Sequence, residues 1–262
     1  FSGTLAYRQE EHAFFVNHAK KCGLLTFVYV DNWSFIEERF SVDLLSDVVF
    51  TIDTAMQEEV HLYAPQLKCI DVGLSDGLFL NGRENLVAGS TLEAQEKFTG
   101  GEILFVSEPA PTEEVRNRFV EKYGFDDVSS FELFLDSLST FRESKNFCSL
   151  ESPIQIRFRS HPRELDSRRD LFMEMAKNAD WPMEWDLRDR QRAINEVNLI
   201  CGMSSMFLVE GSAIGKNVIA FHPNKKCRVY ATDKRQNIRT VSSVSQAQEA
   251  FSMLDWPWSG MK

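Results

Sequence analysis

Apolar runs of strand length, each followed by a polar turn and then by a stretch with helical spacing, recur along the chain. Residues 24–30 (LLTFVYV), 48–52 (VVFTI), 102–106 (EILFV), 197–201 (VNLIC) and 217–221 (NVIAF) are such runs, and 68–73 is a shorter one. A run without apolar/polar alternation suits a strand covered on both faces, the environment inside a parallel sheet flanked by helices. The stretches between supply those helices. Residues 9–22 place Ala13, Phe14, Val16 and Ala19 near helical spacing before Gly23, and 129–142 line up Phe131, Phe134, Leu135 and Leu138. Further helices are expected over 54–62, 167–179, 206–214 (stopped by Gly215) and about 245–254. Strand, turn, helix, strand at this cadence means βαβ units and right-handed crossovers.

Residues 75–100 have no strong period and carry Gly77, Gly82, Gly89 and Gly100, so they read as a connection between two halves, 1–100 and 101–262. The expected class is α/β, with two Rossmann-like domains facing a cleft. The first residue is Phe, and residues 1–4 look like the end of a strand and its turn. The N-terminal half is therefore expected to be incomplete, with a natural N-terminal segment missing. No repeat of 20–50 residues stands out.

Composition narrows the function classes. Lys+Arg 29 against Asp+Glu 39 gives a net charge of −10, which argues against a general nucleic-acid or anionic-membrane surface. The five cysteines, Cys22, Cys69, Cys148, Cys201 and Cys227, are dispersed, with no zinc-like spacing, as expected of reduced thiols in a cytoplasmic protein. No run approaches the ~20 apolar residues of a membrane helix. Trp256 and Trp258 near the end leave peripheral membrane contact as a minor expectation.

In parallel sheets ligands gather at the carboxyl ends of the strands, near a switch in strand order. Asp31, Asp53, Ser107, His161 and Ser204 fall at such ends. Gly202-Met203-Ser204-Ser205 joins a strand to a helix. Glycine permits the turn, the helix start offers unpaired N–H groups, and Ser204 or Ser205 either caps the helix or meets a phosphate oxygen. His161-Pro162 follows a strand carrying Arg157 and Arg159 on one face and precedes Arg163. That setting points to anion recognition, or to a carboxylate partner for the arginines such as Glu210. Glu210 itself reads either as a ribose-binding acid or as a salt-bridged glutamate.

The segments 156–163 (IRFRSHPR) and 202–219 (GMSSMFLVEGSAIGKNVI) resemble the C-terminal domain of GT-B-fold glycosyltransferases. They are most similar to the group of bacterial sialyl-, polysialyl- and Kdo-transferases and polyol-phosphate polymerases, which carry an HP motif and a downstream serine motif. The resemblance covers roughly residues 102–221. It implies a nucleotide-sugar donor as substrate, no cofactor or metal, and a surface polysaccharide or glycolipid acceptor. It also implies that His161, Pro162, Gly202, Ser204 and Ser205, with Ser107, Arg159 and Glu210 nearby, hold the nucleotide and its phosphate. The family's acidic motif, which supplies the catalytic base, has no counterpart here. Asp31, Asp53, Glu10 and Glu11 are the candidates, Asp31 being preferred because Trp33 beside it can stack on a sugar. Thr4, Trp33 and Asp53 complete the acceptor side. Two rival readings follow: a sugar-nucleotide 2-epimerase or hydrolase on the same fold, and a non-catalytic module binding a nucleotide or glycan.

Overall fold

The computed structural model describes residues 9–30, 36–40, 46–73, 101–108, 112–143, 154–162 and 164–254. The chain divides into two compact units, Phe1–Glu93 and Ala94–Lys262.

In the first unit, helix α1 (Gln9–Lys21) precedes strand β1 (Phe27–Tyr29), then α2 (Ile36–Phe40), β2 (Val48–Thr51), α3 (Thr54–Tyr63) and β3 (Lys68–Asp71). The three strands are parallel in the order β1-β2-β3. Val49, Met56 and Val60 are fully buried between β2 and α3. Asp53 caps α3, its Oδ1 accepting from the Met56 N–H at 2.9 Å. The run at 24–30 departs from expectation. Only its last part is strand, and Leu24, Leu25 and Phe27 are exposed. Among the described strands β1 pairs with β2 alone.

The second unit holds a six-stranded, wholly parallel sheet. Its strands are β4 (Glu102–Val106), β5 (Gln155–Arg159), β6 (Met183–Trp185), β7 (Leu199–Gly202), β8 (Asn217–Phe221) and β9 (Ile238–Val241). Their order is β6-β5-β4-β7-β8-β9. The chain thus starts in the middle, winds outward through β5 and β6, returns to the other side of β4, and winds outward again. All five residues of β4 are buried, as its unbroken apolar character requires. β5 alternates instead, with Ile156 and Phe158 buried and Arg157 and Arg159 half-buried on the opposite face.

Helices α4 (Glu113–Tyr123), α5 (Asp127–Arg142), α6 (Asp166–Asn178), α7 (Arg190–Glu196), α8 (Met206–Ala213), α9 (Tyr230–Asp233) and α10 (Val244–Ser252) accompany the strands. An aromatic cluster fixes α5 on the sheet, the Phe105 ring lying 4.8 Å from Phe131 and 5.0 Å from Phe134. Phe158, Phe172, Phe221 and Phe251 extend this core. The expected elements do not include α4, β6, α7 and β9. α4 carries Val115, Phe119, Val120 and Tyr123 at helical spacing, but they are only part-covered and the helix buries no residue fully. It ends at Gly124, whose φ of +96° and closeness to the Asn224 backbone admit no side chain.

Candidate functional site

The strand registers decide the geometry. Val106 of β4 pairs with Arg159 of β5 on one side and Gly202 of β7 on the other. Two residues beyond that row stand His161, Glu108 and Ser204, so three polar residues lie abreast at the carboxyl edge of adjacent strands. Two strand spacings place the outer pair roughly 10 Å apart. The strand order reverses between β4 and β7, which is where ligands bind in sheets of this kind.

On the β5 side, the backbone N–H of His161 donates to the Ser107 hydroxyl and to Glu164 Oε2, both at 3.0 Å. The Glu164 N–H returns a bond to the His161 carbonyl at 2.9 Å, closing a turn around Pro162. Ser107 and Glu164 are buried, and their side chains are hydrogen-bonded to each other. Ser107 therefore lies beneath the turn and orients it. Burial raises the Glu164 carboxyl above its ordinary range, against the hydrogen bonds from Ser107 and His161.

On the β7 side, Ser205 is the N-cap of α8, its hydroxyl accepting from the Phe207 N–H at 3.3 Å. Ser204 does something else. Its backbone N–H and its hydroxyl both donate to one carboxylate oxygen, Glu108 Oε2, at 2.9 Å each. Burial pushes the Glu108 carboxyl up to about 7 despite those two bonds, and the nearby Asp127 acts in the same direction. Gly202 is required for a reason other than turn conformation. Its φ is not positive, but a Cβ there would come within 2.9 Å of the Val106 carbonyl oxygen and of Leu208 Cδ1.

A second His-Pro pair, His222-Pro223, ends β8 beside this turn. His222 is wholly buried, stacks on Phe125 at 4.5 Å, and places Nε2 2.8 Å from the Met203 carbonyl. Burial drives its pKa down to about 4, so the ring is neutral and Nε2–H donates to Met203. His222 thereby anchors the turn that presents Ser204.

The arginines find partners other than Glu210. Arg157 pairs with Glu102 at 3.0 Å and Glu184 at 3.3 Å, and Arg159 with the buried Asp186 at 2.8 Å. The Arg159 guanidinium also lies 5.2 Å from the Phe207 ring, at the first turn of α8. Glu210, buried within α8, is ion-paired with Arg190 at the start of α7. Asp31, Trp33, Thr4 and Arg163 fall outside the described residues, as do Trp256 and Trp258; Glu10 and Glu11 lie on α1. Among the described residues no group of three or more His, Cys, Asp or Glu is placed to hold a metal ion, and no helix is long and apolar enough to cross a membrane.

Glu108, Glu164 and His222 escaped sequence reasoning. A repeated His-Pro at a strand end was the available signal for His222. Glu108-Pro109 closes an evident strand, but nothing local ties it to a serine 96 residues away.

No family model and no curated protein matches this chain. Solved structures do. The UDP-forming α,α-trehalose-phosphate synthase of Burkholderia xenovorans aligns over 92% of this chain and 63% of its own, at 9% identity and a TM-score of 0.54. The trehalose-6-phosphate synthase OtsA aligns over 92% and 62%, at 10% identity and 0.55. The fold is GT-B-like. Anabaena HepE in complex with UDP-glucose gives the same picture, over 94% and 67%, at 10% identity and 0.54. The chain spans about three fifths of the length of the two synthases.

Proposed function

We propose that the chain is a glycosyltransferase that moves a sugar from a nucleotide-activated donor, CMP-, CDP- or UDP-linked, to a surface polysaccharide or glycolipid. The observation that carries this reading is the register row that sets the His161 turn and the Ser204 turn on either side of β4. The names of the solved neighbours, UDP-forming synthases and a UDP-glucose complex, support sugar transfer and add weight to a uridine donor. The HP and serine motifs support the finer kinship with sialyl- and Kdo-type transferases, and with it a cytidine donor.

In this reading the donor phosphate lies between the two turns. His161 donates a hydrogen bond to it, and the N–H groups at the start of α8 add the positive end of the helix dipole. Arg159, near Phe207, contributes charge that its pairing with Asp186 partly offsets. Glu210, oriented by Arg190, takes the ribose hydroxyls. An acceptor oxygen attacks the anomeric carbon and gives its proton to a carboxylate, with Asp31 our assignment and Trp33, Thr4 and Asp53 the further acceptor-side candidates. The bond from that carbon to the phosphate oxygen breaks, and its electrons stay with the nucleotide.

Calorimetric titration of CMP, CDP, UDP and their sugars into wild type and His161→Ala tests this. The variant should keep its fold, bind more weakly and lose turnover. Normal binding and turnover in the variant would refute the role of His161. Release of UDP or free sugar from UDP-GlcNAc without an acceptor would favour the epimerase or hydrolase reading. No binding of any nucleotide to the wild type would favour a non-catalytic module.

A further inference from the structure

The serine at the start of α8, where the reading above puts a phosphate, already holds an anion of the protein's own. Glu108 Oε2 accepts both Ser204 donors, the N–H and the hydroxyl, at 2.9 Å. The contact is built by the fold, because the β4–β7 register brings the two residues abreast. A phosphate oxygen approaching Ser204 meets a carboxylate with the same charge in the same seat. Two negative groups sharing one pair of donors cannot both stay ionised without cost.

We infer that Glu108 gates this seat by protonation: a donor phosphate engages Ser204 only once the Glu108 carboxylate has taken a proton from solution. The inference rests on the sugar-nucleotide reading and goes one step past it. Proton balance is simple. One proton moves from water to a Glu108 oxygen as the phosphate binds, and it returns when the nucleotide leaves.

The surrounding charges agree. Among the described residues Glu108 forms no ion pair that would hold it ionised. On α5, Asp127 bears on it with like charge, and Arg168 of α6 answers Asp127 at 2.5 Å. Asp126 beside it is matched by Arg116 of α4 at 2.6 Å. Glu164, in the His161 turn, is engaged by Ser107, and Arg159 of β5 by Asp186. The Glu108 carboxyl, raised to about 7, titrates in the range where the gate would be felt.

The test uses UDP-glucose, CDP-glucose and a CMP-linked sugar, phosphodiesters that do not themselves titrate between pH 6 and 8. With Glu108 titrating near 7, its protonated fraction drops from about nine tenths at pH 6 to about one tenth at pH 8. Apparent affinity for whichever sugar nucleotide binds should therefore fall about tenfold across that interval. Calorimetry at pH 8 in two buffers of different ionisation enthalpy should register uptake of nearly one proton per nucleotide, a readout needing no variant. Glu108→Gln, which keeps an acceptor for Ser204 but cannot ionise, should bind at pH 8 as tightly as wild type at pH 6, with no proton uptake. Equal wild-type affinity at pH 6 and 8 without proton uptake overturns the gate and leaves the nucleotide reading standing. A Gln variant that keeps the pH slope overturns it too. If neither protein binds any of the three at any pH, the nucleotide reading falls and the gate falls with it.

Discussion

Acidification should loosen the second unit through His222. The folded ring has its pKa pushed down to about 4, whereas an exposed histidine titrates at 6.5. Between those values the unfolded chain carries the proton and the folded chain does not, so stability is complete above about pH 6.5 and drains away as the pH falls toward 4. A displacement of this size is worth about 3 kcal/mol in full, and about 2 kcal/mol of it is lost between pH 7 and pH 5. That is a sizeable share of the ~5–15 kcal/mol that holds a domain together. The cost arises because a charged ring would sit desolvated against Phe125, which the Met203 carbonyl and the charge of Asp233 offset only in part. Urea unfolding followed by the fluorescence of Trp181 and Trp185 at pH 7, 6 and 5 measures it. His222→Gln is the control, since its amide still donates to Met203 but does not titrate. Glu108, Glu164 and Asp126 titrate in both proteins and cancel in the difference. If both lose stability in parallel, the buried neutral histidine is not the source and the reasoning fails.

Gly202→Ala should destabilise the unit by roughly 1–3 kcal/mol, because the added carbon meets the Val106 carbonyl, which cannot retreat without parting β4 from β7. A melting temperature equal to wild type would contradict that close approach. Asp53→Ala should cost about 1 kcal/mol through loss of the α3 cap, with Asp53→Asn recovering most of it. Should Asp53→Ala instead leave thermal stability untouched and remove turnover, Asp53 belongs to the acceptor side rather than the helix.

The carboxyl edge of the second sheet was legible because β4, β7 and β8 are near-continuous apolar runs, and because the chain passes from Gly202 through two serines into a helix. Those local signals located His161 and Ser204. What occupies the space between them was not legible. Cadence announces a parallel sheet but leaves strand order open, and only the order, with β4 central, carries Glu108 to Ser204. The arginine partners were hidden for the same reason: Asp186 lies beyond a strand, β6, that an ordinary Trp-rich segment disguised. The run at 24–30 misled in the opposite sense, since apolar composition alone does not say whether a neighbour covers the residues, and Leu25 is 74% exposed.

The register row has a consequence in time as well as in space. Its defining bonds join residues 54 and 96 positions apart, His161 to Ser107 and Ser204 to Glu108. Contacts of such span form after local helices and turns, because the chain must first close long loops. A folding chain can hold most of its helix and still lack the proposed phosphate seat. Occupancy of that seat would therefore report that the central strands have found their places, and a bound nucleotide would slow the unfolding of this sheet rather than hasten its assembly.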